Sequence, residues 1–415
     1  MPGVVPYPIR DPRVSHAVLV LFGGDNNLSD QVYRDVGEMV AGNMGGVGVL
    51  ALADFADRGA VVLELSARIG ARVVESVGEI NTGDPDMLAT FLGRALRSYA
   101  HVPHVAIGFW DHGSGVFEEH DPESPRVRAR ARSVVRGAGA RRLFRRDRAP
   151  VRGSSPAGGV AVRAMLNDDT NGGLLTTREA GAVLRRALAG SGRDRVDLVF
   201  SDTCLNGMVE VTHELAPSTD VVVGSQDLEP ATGWDYALWF RRTSKLRPAS
   251  GSEWAALAVQ SYRDAYALRP ADHPVTLSAF RTDRDVAPSF AGVVDALRGA
   301  EPEARDWVDR ARRDGLSFAR RDSYDLGDFA VRLRREAERR GNHRVVAASS
   351  AFLDAYDDAR VAEIHLGSGV AGATGLALWI PSNRSELAVT GDTYRDLRWE
   401  RDVGWWSYLA QPAQP

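Results

Sequence analysis

The regular alternation of short apolar runs with amphipathic segments is what most constrains this chain. Runs at 14–22, 47–54, 104–110, 195–201 and 220–225 are rich in Val, Leu, Ile, Ala, Phe and Trp, and each is too short for a core helix. Between them lie stretches with helical periodicity at 27–41, 84–100, 176–189, 205–215 and 234–242. A strand that is apolar on both faces must be covered on both, and parallel strands need long, usually helical, crossover connections. The pattern therefore predicts an α/β fold with a mostly parallel central sheet flanked by helices. Runs at 59–66 and 71–77 read as a hairpin, and 160–166 as one more strand. Beyond Ser250 the chain turns mainly helical, with strands near 275–281, 360–366 and 375–380 that extend the sheet or build a second lobe. This divides the chain into a core over 1–245 and a C-terminal α/β region over 246–415. No internal repeat is evident.

Composition narrows the chemistry. At 415 residues and 44% hydrophobic content a large core is affordable. Cys204 is the only cysteine, which excludes an intrachain disulfide and a cysteine zinc cluster. Residues 1–13 are Pro-rich without an apolar core, and 17–22 is too short for a signal peptide, so a cytoplasmic protein is expected. No stretch approaches the roughly 20 apolar residues of a membrane span, so no membrane insertion is expected. Lys245 is the only lysine, which leaves no phosphate-binding Gly-x-x-x-x-Gly-Lys loop, and no Gly-x-Ser-x-Gly elbow surrounds Ser114, Ser201 or Ser225. His101, His104, His112 and His120 fit no standard zinc spacing, so no metal site is assigned to them.

Two strand ends do carry chemistry. The run 196–201 hands over at Asp202-Thr203-Cys204-Leu205 to a helix-like segment, and the run 105–110 ends in Asp111-His112-Gly113-Ser114-Gly115. A cysteine becomes a good nucleophile only when its thiolate is stabilised, which the N-terminus of a following helix would do. Parallel strands deliver such loops to one edge of the sheet, where a histidine from a second strand can take the proton. Side chains alternate along a strand, so Asp202 and Cys204 share a face. An isolated buried cysteine is ordinarily a small hydrophobe. The strand-end histidine is what turns the reading to catalysis.

These blocks resemble the clostripain family of cysteine peptidases, which has a caspase-like fold. Phe22-Gly23-Gly24-Asp25-Asn26-Asn27-Leu28 resembles that family's opening strand and turn, with a helix after it reaching Glu38-Met39. Trp110 to Gly115 is similar to its histidine block, Asn167-Asp168-Asp169-Thr170 with Leu175 to the stretch before the next helix, and Asp202 to Glu210 to its nucleophile block. Gly233-Trp234-Asp235-Tyr236, Tyr324 to Phe329 and Gly375 to Pro381 also fit. The resemblance implies a cysteine endopeptidase with Cys204 as nucleophile and His112 as the base that later protonates the leaving amine. Gly113 N–H and Cys204 N–H would bind the oxyanion, and glycine suits that place because it puts no side chain in the way. The family needs no third residue to orient the histidine, and Asp111 is not assigned a catalytic role.

Specificity is expected for a basic residue on the acyl side of the cut, Arg above Lys, because a desolvated Asp202 carboxylate can accept a bidentate guanidinium. The other reading of Asp202 is a helix cap. Relatives with this preference place a second acid just before the Gly-Trp pair; this chain has Thr232 there, and Asp235 or Asp227 is the candidate to compensate.

Between the two catalytic residues lies the second informative feature. Eleven arginines (Arg126, Arg128, Arg130, Arg132, Arg136, Arg141, Arg142, Arg145, Arg146, Arg148 and Arg152) face a single acid, Asp147, within 126–152. This +10 segment sits in a chain of net charge −4, leaving −14 elsewhere. Such a composition cannot pack a core and is expected to be flexible. Its place between the catalytic residues resembles a zymogen's processing loop, here assigned to 118–159; a nucleic-acid-binding arm is the weaker reading. The expected partner is a protein or peptide substrate, and no cofactor is required. The run Asn167 to Thr170 could bind calcium, which some relatives need, although a turn before a helix accounts for such residues as well. The rival reading is a catalytically silent caspase-like binding module. A protease of different specificity acting in signalling, cell death or phage defence is the other alternative. Oligomeric state is not legible.

Overall fold

The computed structural model describes residues 5–116, 165–268, 274–320 and 322–411. The arginine-rich segment, and with it the whole of 118–159, lies outside the described residues, as does most of the strand expected at 160–166. Thirteen strands are described. They are β1 (His16–Gly24), β2 (Val47–Phe55), β3 (Ala60–Ser66), β4 (Gly70–Gly78), β5 (His104–Trp110), β6 (Leu166–Asn167), β7 (Leu174–Leu175), β8 (Val196–Asp202), β9 (Thr219–Gly224), β10 (Val275–Arg281), β11 (Ser323–Asp325), β12 (Arg360–Leu366) and β13 (Ala377–Trp379).

Nine of them form one sheet in the order β12-β10-β9-β8-β5-β1-β2-β3-β4. The five central strands, β9-β8-β5-β1-β2, are parallel. The flanking pairs β2-β3, β3-β4, β9-β10 and β10-β12 are antiparallel. The α/β architecture is thus as expected, a mostly parallel centre covered by helices.

Why both faces are covered can be read along β1. Ala17, Leu19 and Leu21 enter one apolar cluster, while Val18, Val20 and Phe22 enter the other. The helices Pro85–Ser98, Thr177–Leu188 and Val209–Leu215 close the first face with Leu88, Leu92, Leu184 and Val211. Ser29–Gly42, Tyr236–Leu246 and Gly251–Ala267 close the second with Val32, Met39, Trp239 and Trp254. Local chemistry starts these helices where the sequence permits: Thr176 and Glu179 form a reciprocal capping box, and Asp84 accepts the Asp86 amide at 2.8 Å ahead of Pro85.

The region past Ser250 contributes in two ways. β10 and β12 extend the main sheet, and the helices Ala287–Arg298, Leu326–Arg339 and His343–Ala359 add to the first apolar face. Of the two courses open to the run at 375–380, extending the sheet or building a separate unit, β13 takes the second and pairs with β11 in a two-stranded ribbon. Its job is to brace the loop after β8. Ala377 N–H donates to Gly207 O at 2.8 Å, and Trp379 N–H to the Glu210 carboxylate at 2.9 Å. Asp325 in β11 accepts from Thr374 N–H at 2.6 Å and from the Gln226 amide at 3.0 Å, which ties in the loop after β9 as well. The two late sequence blocks are therefore scaffolding for the loops that carry the site. No helix among the described residues is long and apolar enough to cross a membrane.

Candidate active site

The register of β5 against β8 decides the site. Trp110 pairs with Asp202, so His112 and Cys204 each stand two residues past the same rung, at the carboxyl ends of adjacent parallel strands. Both side chains are largely buried. The two loops touch: a Cβ on Gly113 would lie 2.2 Å from the Cys204 carbonyl oxygen and 2.8 Å from the Thr203 side chain. Only glycine lets the histidine loop come this close, which brings the Gly113 backbone against Thr203 and Cys204.

The helix expected directly after Cys204 begins later, at Val209. Residues 205–208 form a bend, with Leu205 in the left-handed region at φ 64°, pinned by Leu205 N–H to Asp227 O at 3.2 Å and Gly207 N–H to Ser225 O at 2.7 Å. The thiol is served differently from that expectation. Cys204 Sγ accepts the Glu229 N–H at 3.3 Å, so a backbone donor from the loop after β9, not a helix terminus, stands ready for the thiolate.

His112 is oriented from the opposite side. Its Nε2 lies 2.7 Å from Asn27 Oδ1. An amide oxygen only accepts, so Nε2 carries the hydrogen and Nδ1 is the basic nitrogen. Asn27 belongs to the turn after β1, whose neighbour Asn26 donates through Nδ2 to Gly23 O at 2.9 Å and to Asp111 Oδ1 at 2.8 Å. Asp111 also accepts the backbone amides of His112 and Asn167. It is a buried knot joining three segments, and burial pushes its carboxyl well above the usual range.

Beside the thiol is a cleft whose walls include Asp35, Trp110, Asp202, Cys204, Glu229 and Gly233. Asp202 accepts the Tyr236 hydroxyl at 2.9 Å and the Trp234 N–H at 3.4 Å, and burial raises it to about 6. Asp35 takes the Trp110 indole N–H at 2.8 Å on Oδ2, while its Oδ1 is buried without a partner. Burial, then the charge of Asp202, raises Asp35 to about 8. Glu229 is lifted well above the ordinary range by burial and by Asp202. Gly233, at φ 52°, leaves the approach to Asp202 open, since a Cβ there would stand 3.1 Å from a carboxylate oxygen. Three acids thus converge, and neither Asp235 nor Asp227, the candidates to accompany Asp202, is among them.

The other sequence candidates sit elsewhere. Asp235 caps the helix Tyr236–Leu246 by accepting Leu238 N–H at 2.8 Å. Thr232 Oγ1 pairs with the Tyr266 hydroxyl at 2.8 Å, and that hydroxyl donates to Gly233 O at 2.8 Å. Asp227 accepts the amides of Leu228 and Ala319 and so anchors a loop. His104 pairs with Asp197 at 2.9 Å. The eleven arginines and His120 lie outside the described residues. Asn27, Asp35 and Glu229 were not anticipated. Asp35 did leave a signal, because it interrupts the buried stripe Val32, Asp35, Met39 of its helix, where a carboxylate is out of place. Glu229 sits in an irregular loop with no periodicity to betray it.

An α/β sheet with a thiol and an imidazole at the carboxyl ends of adjacent strands is the arrangement the caspase-like reading calls for. Residues 20–131 and 153–410 match the Clostripain family model, and the chain belongs to that family of cysteine endopeptidases. No curated protein matches the chain. Among solved structures, it is similar to a secreted C11 cysteine protease from Bacteroides thetaiotaomicron in complex with an irreversible peptide inhibitor. That likeness has a TM-score of 0.64 at 16% identity, covering 94% of this chain and 99% of that one. An inactive zymogen C11 protease from Parabacteroides distasonis is similar at a TM-score of 0.63 and 16% identity, covering 94% and 98%.

Proposed function

We propose that the protein hydrolyses peptide bonds after arginine through a Cys204–His112 dyad and processes itself within 118–159. The carrying observation is the group of three carboxylates, Asp35, Asp202 and Glu229, in the cleft next to Cys204. In the reaction His112 Nδ1 takes the thiol proton and Sγ bonds to the scissile carbonyl carbon. The Gly113 and Cys204 amides would hold the oxyanion. The C–N bond then breaks as His112 protonates the amine, and water, deprotonated by the same imidazole, cleaves the thioester to release acid and thiol. An empty cleft holding three close carboxylates retains protons. A guanidinium offers five donors in a planar fork and replaces those protons, which a compact ammonium does less well.

Processing rests on the placement of eleven arginines between β5 and β8, near the site at high effective concentration. Because β5 and β8 are paired neighbours, the two fragments would remain in one sheet. Cys204→Ala and His112→Ala should each lower turnover by several orders of magnitude. Denaturing gels should resolve two fragments of the wild type and one band of Cys204→Ala. A peptide panel varying only the residue before the cut tests specificity: equal or better cleavage after Leu, Ala or Asp refutes it. An intact single chain that is active on peptides refutes processing.

A further inference from the structure

The helix Val209–Leu215, which follows the bend after Cys204, has no solvent face: all seven of its residues are buried, although Glu210, Thr212, His213 and Glu214 are polar. A helix this short has little stability of its own, so its place behind the bend is set by what its side chains hold. Three of them reach the C-terminal segment. Glu210 accepts the Trp379 N–H and the Tyr394 hydroxyl, each at 2.9 Å. Glu214 accepts the Arg398 N–H at 2.9 Å and lies 3.6 Å from the Arg185 guanidinium. His213 stands between two carboxylates. Its Nε2 is 2.7 Å from Asp402 Oδ2 in the helix Arg398–Val403, and its Nδ1 is 3.4 Å from Asp285 Oδ1, just ahead of the helix Ala287–Arg298.

An ionised carboxylate only accepts hydrogen bonds, so an imidazole with one at each nitrogen must donate from both, and only the protonated ring can. A neutral ring would turn a lone pair toward one of the two acids. The other charges around it leave this arrangement intact. Arg398 donates to the His213 carbonyl at 3.2 Å and is 3.9 Å from Asp402. Across the adjoining pocket, Arg281 and Arg284 are engaged with acids of their own, Asp283 at 2.6 Å and Asp358 at 3.2 Å. Trp399 meets the imidazole edge-on with ring centroids 5.7 Å apart. Burial opposes the charge on His213, yet the two acids outweigh it and raise the ring above its ordinary 6.5. Burial also opposes the charge on Asp285, but the hydrogen bonds from His213 and the Ala287 N–H hold its carboxyl below the usual range.

We infer that His213 is a positioning residue whose protonated ring clasps the helix Val209–Leu215 to Asp285 and Asp402, and so fixes the bend that follows Cys204. A native ring that binds its proton more tightly than the unfolded chain contributes fully below about pH 6.5, and the contribution is lost as pH rises through the raised native value. Glu210, raised to about 7 by burial, also holds its proton more tightly in the native state, so its ionisation weakens the same interface as pH rises. Both groups act in one direction on one short helix. The consequence for Cys204 rests on the peptidase reading; the clasp itself does not.

The clasp is tested in full-length Cys204→Ala protein, where no activity is needed. The His213 imidazole resonances should titrate about one unit or more above 6.5, and Asp402→Asn, at a side chain that is 48% exposed, should lower that value by about one unit. One unit is a factor of about 10 in equilibrium. The hydrogen-exchange protection of the 209–215 amides, parent over Asp402→Asn, should therefore be about 10-fold greater near about pH 5.5 and equal near about pH 9, with Glu210 common to both proteins. His213→Gln should show the same trend, whereas His365→Gln, whose ring pairs with Glu363 at 2.8 Å on β12, should match the parent at both pH values. A ring that titrates at 6.5 or below, or a protection ratio for Asp402→Asn that does not change with pH, overturns the clasp whether or not His213→Gln folds. In the active enzyme the alkaline decline of kcat should begin at lower pH in Asp402→Asn while KM stays put. An identical kcat profile overturns the link to Cys204 and leaves the peptidase reading standing.

Discussion

Replacing Asp202 by Asn separates what this side chain does for arginine from what it does to the fold. The carboxylate is buried and raised from 3.8 to about 6 because burial disfavours its charge, with Asp35 and Glu229 nearby. A folded value above the unfolded one means that the native state holds its proton more tightly. Stability is therefore lost as pH climbs from about 4 to about 6, and the full penalty persists above that. A shift of roughly two units corresponds to about 3 kcal/mol. Asparagine keeps the shape and can still accept the Tyr236 hydroxyl, but it carries no charge. In a Cys204→Ala background, urea unfolding at pH 7.5 should find Asp202→Asn more stable by up to about 3 kcal/mol, the gain vanishing below about pH 4. In the active enzyme the same change removes a charged acceptor for the guanidinium, worth about 1.5–3 kcal/mol, so kcat/KM on arginine substrates should fall by roughly 10- to 150-fold. Cleavage after uncharged residues should fall far less. A variant that is less stable at pH 7.5 with no pH trend, or that keeps wild-type kcat/KM after arginine, refutes the reasoning.

Two further outcomes follow from the site. Arginine entry must expel protons from the cleft, whose acids are raised to about 6 at Asp202 and about 8 at Asp35, so KM for arginine peptides should fall as pH rises from about 5 to about 8. A flat KM across that range, measured with kcat separated, contradicts a protonated empty cleft. Asn27→Ala removes the acceptor of His112 Nε2–H and should lower kcat about 10-fold with little change in KM, moving the pH profile, while Asn27→Gln restores part of the loss. An unchanged pH profile with a lowered unfolding midpoint would leave Asn27 a purely structural residue.

Much of the architecture was legible in the sequence because strand and helix periodicities are local. β1, β2, β5, β8 and β9 are near-continuous apolar runs, and burial on both faces forces parallel pairing under helices. His112 and Cys204 stood out for the same reason, since a strand end followed by glycine or a lone thiol is visible in a few residues. Strand alternation likewise placed Asp202 on the side of Cys204, and both line the same cleft.

What only the tertiary structure decided is pairing between distant segments. The run at 377–379 has the same apolar character as the sheet strands, yet it pairs with β11 and braces the loop after β8. Periodicity describes a strand but not its partner. The bend at Leu205 displaces the helix start to Val209, because the loop is held by Asp227 and Ser225 from beyond β9, and a backbone amide of Glu229 replaces the helix terminus at the thiol. The cleft is the clearest case. Asp35, Asp202 and Glu229 are far apart along the chain and each alone is an ordinary acid. Folding desolvates them together, and their mutual repulsion in that buried setting is a property no single segment carries.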